Sequence, residues 1–196
     1  MELLLIRHAL PQRIENDDGT PADPPLSELG QRQAERLADW LAKERLDALY
    51  VSPMRRAVET ATPLSQTTGL ELRHEPGVVE FDRMSQVYIP LEELKRNEPE
   101  RWRELVQGGI YAEIDLAEFQ RTVIASLEAI VAAHSGQRVA VVCHGGVINT
   151  WAARTLGIDQ PLFFDPNYTS INRFLAAGSG ERSMSSLNEA AHLRGL

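Results

Sequence analysis

Three short apolar runs punctuate the chain: Leu3 to Ile6, Leu46 to Val51 and Val139 to Cys143. Each is rich in β-formers and, apart from Asp47, free of polar residues, the pattern of strands buried on both faces. Between them the spacing turns helical. Gly30, Ala34, Leu37, Ala38 and Leu41 share one face of a helix with Ser27 as its N-cap, and Leu116, Phe119, Val123, Leu127, Ile130 and Val131 share one face of another. A further helix is predicted from about Gly146 to Leu156, ending at Gly157. Alternating strands and helices predict an α/β fold with a mainly parallel sheet.

The stretch from Glu80 to Asp115 breaks this rhythm. Its charged helical segment is interrupted at Pro99 and followed by Gly108 and Gly109, so it reads as an insertion over one edge of the sheet. The segments "SINRFLAA" and "ERSMSSLNEAAHL" add a strand and a closing tail.

At 196 residues the chain suits one domain with one large core. A formal charge of −8 argues against a nucleic-acid or anionic-membrane binder, while leaving room for a local arginine cluster that holds a small anion. A single cysteine, Cys143, excludes an intrachain disulfide. With no signal-peptide pattern and no apolar run near the length of a membrane span, a cytoplasmic protein is expected. An apolar edge strand would suit a homodimer, a state the sequence leaves open.

In open α/β sheets, ligands collect at the carboxyl ends of the strands. Here those ends carry Arg7 and His8, Ser52 to Arg56, and His144-Gly145-Gly146. Ser52 fits an N-cap and Pro53 the first helical position, placing Arg56 in the first turns of a helix whose N-terminus already favours anions. Arg55 pairs with Glu59 on the outer face by its spacing, which leaves Arg56 as the pocket arginine. A guanidinium at that position suits a phosphate group. A metal site built on His8 and His144 is the alternative, and the fixed charge of Arg7 weighs against it.

Taken together, "IRHA" at 6–9, "SPMRRAVETA" at 52–61, "VVE" at 78–80 and "VVCHGGVIN" at 141–149 resemble the histidine phosphatase superfamily, also called phosphoglycerate-mutase-like. The four motifs stand in the family's order. "PPLSELGQRQAERLA" is similar to its first helix and "SLNEAAHL" to its C-terminal segment. The resemblance implies a three-layer α/β/α fold over residues 1–196, with the insertion at about 80–115 over the active site. It implies that His8 is the nucleophile that becomes phosphorylated, that Arg7, Arg56 and His144 surround the phosphoryl group, and that Glu80 protonates the leaving oxygen. No metal or other cofactor is implied, and the partner is a small phosphorylated substrate.

Three departures from the family pattern shape further expectations. Ala9 stands where glycine is most frequent. The loop "PQRIENDDG" lacks the usual asparagine, which makes Arg13 the candidate to replace it as a phosphate ligand. "FDRMSQVYIP" lacks the usual glycine and tryptophan, which makes Asp82 an alternative to Glu80 as the acid. The leading expectation is a metal-independent phosphomonoester hydrolase. A phosphoglycerate mutase and a non-catalytic phosphate-binding regulatory module are the alternatives.

Overall fold

The computed structural model of the chain describes residues 1–108, 114–160 and 162–196. In chain order its strands are β1 (Glu2–Arg7), β2 (Ile14–Glu15), β3 (Ala48–Val51), β4 (Leu72–His74), β5 (Val87–Tyr88), β6 (Arg138–Cys143), β7 (Ile171–Ala176) and β8 (Arg182–Glu189). The helices are α1 (Glu28–Leu41), α2 (Arg55–Thr68), α3 (Leu91–Asn97), α4 (Pro99–Gly108), α5 (Leu116–Ala133) and α6 (Gly145–Leu156).

Six strands form the central sheet in the order β4-β3-β6-β1-β7-β8. The first four are mutually parallel, and β7 runs antiparallel to both β1 and β8. The three continuous apolar runs fall on β1, β3 and β6, the innermost parallel strands, where both faces are covered. Alternation along β1 sends Leu3 and Leu5 to a core shared with α5 and α6, and Leu4 and Ile6 to a core shared with α1 and α2. Helices therefore flank the sheet on both faces, and the three-layer α/β/α arrangement follows directly from this two-sided burial.

Helix α1 begins as expected: Ser27 is the N-cap and its side chain accepts a hydrogen bond from the Gly30 N–H at 3.0 Å. Gly30 is required for packing, since a Cβ there would run into the Leu10 carbonyl. Helix α6 ends at Gly157, whose φ of +68° supplies the left-handed cap. The second motif differs from its reading. The cap of α2 is Met54, and helix begins at Arg55 rather than Pro53. Ser52 is released from capping and serves the site instead.

The interrupted segment folds as two short helices, α3 and α4, separated at Glu98 with Pro99 opening the second. Strand β5 pairs with β2 as a separate two-stranded ribbon, so the loop after β1 and the segment after Glu80 are joined. Gly109 and the stretch to residue 113 lie outside the described residues.

Candidate active site

Parallel pairing sets the site. Arg7 lies opposite Cys143 in the register of β1 and β6, so the two strands finish side by side and present His8 and His144 together. Their rings stand 5.2 Å apart between centroids. The His8 N–H donates to the Cys143 carbonyl at 2.9 Å, which extends the β1 pairing by one residue and fixes the histidine backbone.

Thr169 grips the same dipeptide from the other side. Its N–H lies 3.1 Å from the Arg7 carbonyl and 3.3 Å from that of His8. To do so it adopts φ +56°, a left-handed conformation that a β-branched residue occupies at a cost. It is fully buried, and its hydroxyl lies 3.0 Å from His192 Nε2, so the surrounding structure holds the strained turn. His192 and His134 both hydrogen-bond inside the fold; His134 meets Tyr50 at 2.9 Å and Gln137 at 2.5 Å.

His8 is 3 % exposed. Its Nδ1 lies 2.8 Å from the Ala9 carbonyl oxygen. A carbonyl only accepts, so Nδ1 carries the hydrogen and the lone pair resides on Nε2. Burial, then the charges of Arg56 and Arg7, hold His8 well below the ordinary imidazole pKa of 6.5. The ring is therefore neutral and able to act as a nucleophile at neutral pH. His144 is held low by burial, Arg56, His8 and Arg7 in the same way. Ser52 Oγ lies 2.8 Å from its Nε2.

Both site arginines are buried, Arg7 at 6 % and Arg56 at 1 % exposure. Each is oriented by a tyrosine face and a carboxylate. The Arg7 guanidinium lies 4.0 Å above the Tyr168 ring and 3.4 Å from Asp165, and also donates to the Pro166 carbonyl. Arg56 lies 4.7 Å above the Tyr88 ring and donates through Nη2 to both oxygens of Asp82, at 2.7 and 3.0 Å. Asn149 on α6 holds the loop that supplies the Arg7 contacts, accepting from the N–H groups of Phe163 and Phe164 at 3.0 and 3.2 Å.

Glu80 is 7 % exposed. Its two oxygens accept from the Gly146 N–H at 2.8 Å and the Phe81 N–H at 3.2 Å. Burial, with the nearby charge of Asp82, raises its pKa from the ordinary 4.5 to about 7 despite those hydrogen bonds. Gly146 makes the approach possible, because a Cβ at that position would collide with Glu80 and the Phe81 ring. Cys143, adjacent in sequence to His144, is a buried strand residue whose thiol burial pushes up, which keeps it protonated.

Arg7, His8, Arg56 and Glu80 line a cavity of about 1010 Å³ together with Phe81, Tyr88 and Trp102 of the segment after Glu80. Of the residues singled out from sequence, the structure brings together Arg7, His8, Arg56, Glu80, Asp82 and His144. Arg13 is not among them. It is spent on Glu15, Glu93 at 3.2 Å and Glu98 at 2.5 Å, tying the loop after β1 to α3 and the start of α4, so its expected role as a phosphate ligand is corrected. The physical reason is local: three carboxylates supply acceptors that outcompete a more distant anion. Sequence reasoning missed Ser52, whose Ser-Pro context mimics a helix start, and Tyr168, Asp165 and Thr169, which belong to a loop with no motif of its own.

The profile of the histidine phosphatase superfamily (branch 1) matches residues 3–189. Phosphoserine phosphatase 1 of Hydrogenobacter thermophilus is 31 % identical over 175 residues, covering 84 % of this chain and 80 % of its own. Among solved structures, a mutant phosphoserine phosphatase from Entamoeba histolytica in complex with phosphoserine superposes with a TM-score of 0.74 at 23 % identity, covering 98 % of both chains. The mycobacterial glucosyl-3-phosphoglycerate phosphatase gives 0.72 at 21 % identity, covering 96 % of this chain and 99 % of that one. The chain belongs to the histidine phosphatase superfamily, branch 1, and is a phosphatase of that type.

Proposed function

We propose that the chain releases phosphate from small phosphomonoesters in two displacements at one histidine. The observation that carries this reading is the set of unpaired polar atoms gathered around His8. Arg7 Nε, Arg56 Nε and Nη1, and His144 Nδ1 are buried and have no hydrogen-bond partner among the described residues, although buried donors are ordinarily paired. Two forked cations and a neutral imidazole beside a nucleophilic nitrogen match the needs of a transferring phosphoryl group.

In the first displacement His8 Nε2 attacks phosphorus and the bond to the ester oxygen breaks. Arg7 and Arg56 take up the charge on the equatorial oxygens. Ser52 donates its hydroxyl hydrogen to His144 Nε2, which keeps the His144 hydrogen on Nδ1 to meet a phosphoryl oxygen. Glu80, protonated, gives its proton to the departing alkoxide, and the alcohol leaves. In the second displacement the Glu80 carboxylate takes a proton from water, the hydroxide attacks phosphorus, and the N–P bond breaks to release phosphate and neutral His8. Asp82 stays paired with Arg56 as its counter-charge.

The test is phosphate release from a panel of sugar, nucleotide, hydroxy-acid and aryl phosphates in the presence of EDTA, for the wild type and His8→Ala. Turnover that survives chelation and disappears in the variant is expected. Activity that persists without His8, or efficient phosphoglycerate isomerisation with a bisphosphoglycerate primer, would overturn the hydrolase reading.

A further inference from the structure

The cavity extends far beyond the space one phosphoryl group fills. Its volume of about 1010 Å³ lies at the upper end of the range for small-molecule sites, roughly 300–1,000 Å³. Beyond the two buried arginines its wall is made by Met84, Leu91, Trp102, Ile114, Leu162 and Phe164. Met84 is 72 % exposed, a large apolar side chain left in water at the cavity wall.

The charges on that wall point the same way. Apart from Arg7 and Arg56, the cations lining the cavity are Lys95 and Arg101. Lys95 lies 4.6 Å above the Trp102 ring and 3.9 Å from Asp165. Arg101 is 3.1 Å from Glu98 and 3.4 Å from Glu15. A second negative group on a substrate would therefore compete with Asp165 for Lys95 and with Glu98 and Glu15 for Arg101. Besides Glu80, three carboxylates line the cavity: Asp82, Glu104 and Asp165. A substrate tail bearing its own carboxylate would enter among like charges and have to displace them from Lys95 or Arg101, while an apolar tail would meet aromatic and aliphatic surface.

We infer that the preferred substrates are monoesters of bulky apolar alcohols, of the aryl or aryl-alkyl class and lacking a second acid, rather than phosphorylated hydroxy acids such as phosphoserine. The inference rests on the phosphatase reading above. It assigns Trp102 and Met84 as specificity-determining residues that hold the alcohol portion, and takes the substrate chemistry from this cavity rather than from the names of relatives.

The experiment compares kcat/KM for 2-phenylethyl phosphate, ethyl phosphate and O-phosphoserine at one pH. The two neutral alcohols leave with similar ease, and serine is the better leaving group, so chemistry alone does not favour the aromatic ester. The expected result is a preference for 2-phenylethyl phosphate of at least about tenfold over each of the others, the scale of burying a phenyl ring. That preference should fall at least about fivefold in Trp102→Ala and in Met84→Gln, the second being at an exposed position that the core does not need. His8-dependent hydrolysis of phosphoserine as efficient as that of the aromatic ester would overturn this inference alone, as would a preference that neither variant moves. Release of phosphate from none of the three, or release that persists in His8→Ala, would overturn the phosphatase reading and this inference with it.

Discussion

A buried carboxyl with a pKa near 7 has two consequences at Glu80, one for activity and one for stability. As a general acid it must hold its proton in the free enzyme, so kcat/KM should decline above about pH 7, and Glu80→Gln should lose both most of the activity and that alkaline limb. The folded-state pKa is raised, so the folded protein binds the extra proton between about 4.5 and 7. Stability from this group is complete below the lower value and is lost as pH rises through the upper one. Glu80→Gln, which keeps an acceptor for Gly146 and cannot ionise, should therefore unfold at a higher temperature than wild type at pH 8. The gain is at most about 3 kcal/mol and should vanish near pH 4.5, as paired thermal melts would show. Arg56→Lys tests a different property: an ammonium cannot span Asp82 and two oxygens of a phosphoryl group at once, so kcat should drop by about a hundredfold or more with the fold intact. Arg56 was legible in the sequence from its motif after a strand end, and Glu80 only through the resemblance of "VVE" to the family. Ser52 was misread and Tyr168 unread, because the one resembles a cap and the other acts only through a ring face brought in from distant sequence.

At the scale of elements, the site depends on where β1 and β6 end and α6 begins. Gly146 opens the first turn of α6 to the Glu80 carboxylate, so Gly146→Ala should displace that carboxylate and cut kcat far more than it lowers the melting temperature. Ser27→Ala makes the contrasting case: loss of the α1 cap should cost about 1 kcal/mol in denaturant unfolding and leave kcat near wild type, because the cap touches no site residue. The apolar periodicities located β1, β3, β6, α1 and α5, since two-sided burial writes continuous runs and one-sided helix burial writes a stripe, while α6 was bounded by its terminal Gly157. The short strands β2, β4 and β5 left no comparable trace. With two or three residues each, their pairing is decided by neighbours rather than by a pattern of their own.

Across the whole molecule, the parallel centre of the sheet gathers all the buried site residues at one end, while an ionic cluster around Arg13 ties together the segments near the cavity. That cluster is exposed, and Arg13 takes no part in the cavity lining. Arg13→Ala should therefore change the affinity for inorganic phosphate by less than about twofold, as isothermal titration would report, whereas Arg7→Ala should abolish measurable binding. The described residues include no helix long and apolar enough to cross a membrane. The α/β class and the mainly parallel sheet were readable from alternation and the three layers from the resemblance, but the shape of the cavity was not, because it is built by a segment whose sequence is charged and interrupted while its packing is tertiary. The central claim is that His8 Nε2 bonds to phosphorus during turnover. The most direct test is to mix enzyme with a phosphomonoester, quench within the first turnover, and map the phosphoryl group by peptide mass spectrometry under alkaline conditions. A single acid-labile phosphoryl group on His8, formed and lost at rates compatible with kcat, is the predicted result. Turnover with no phosphoryl group on the protein, or with one on another residue, would contradict the account.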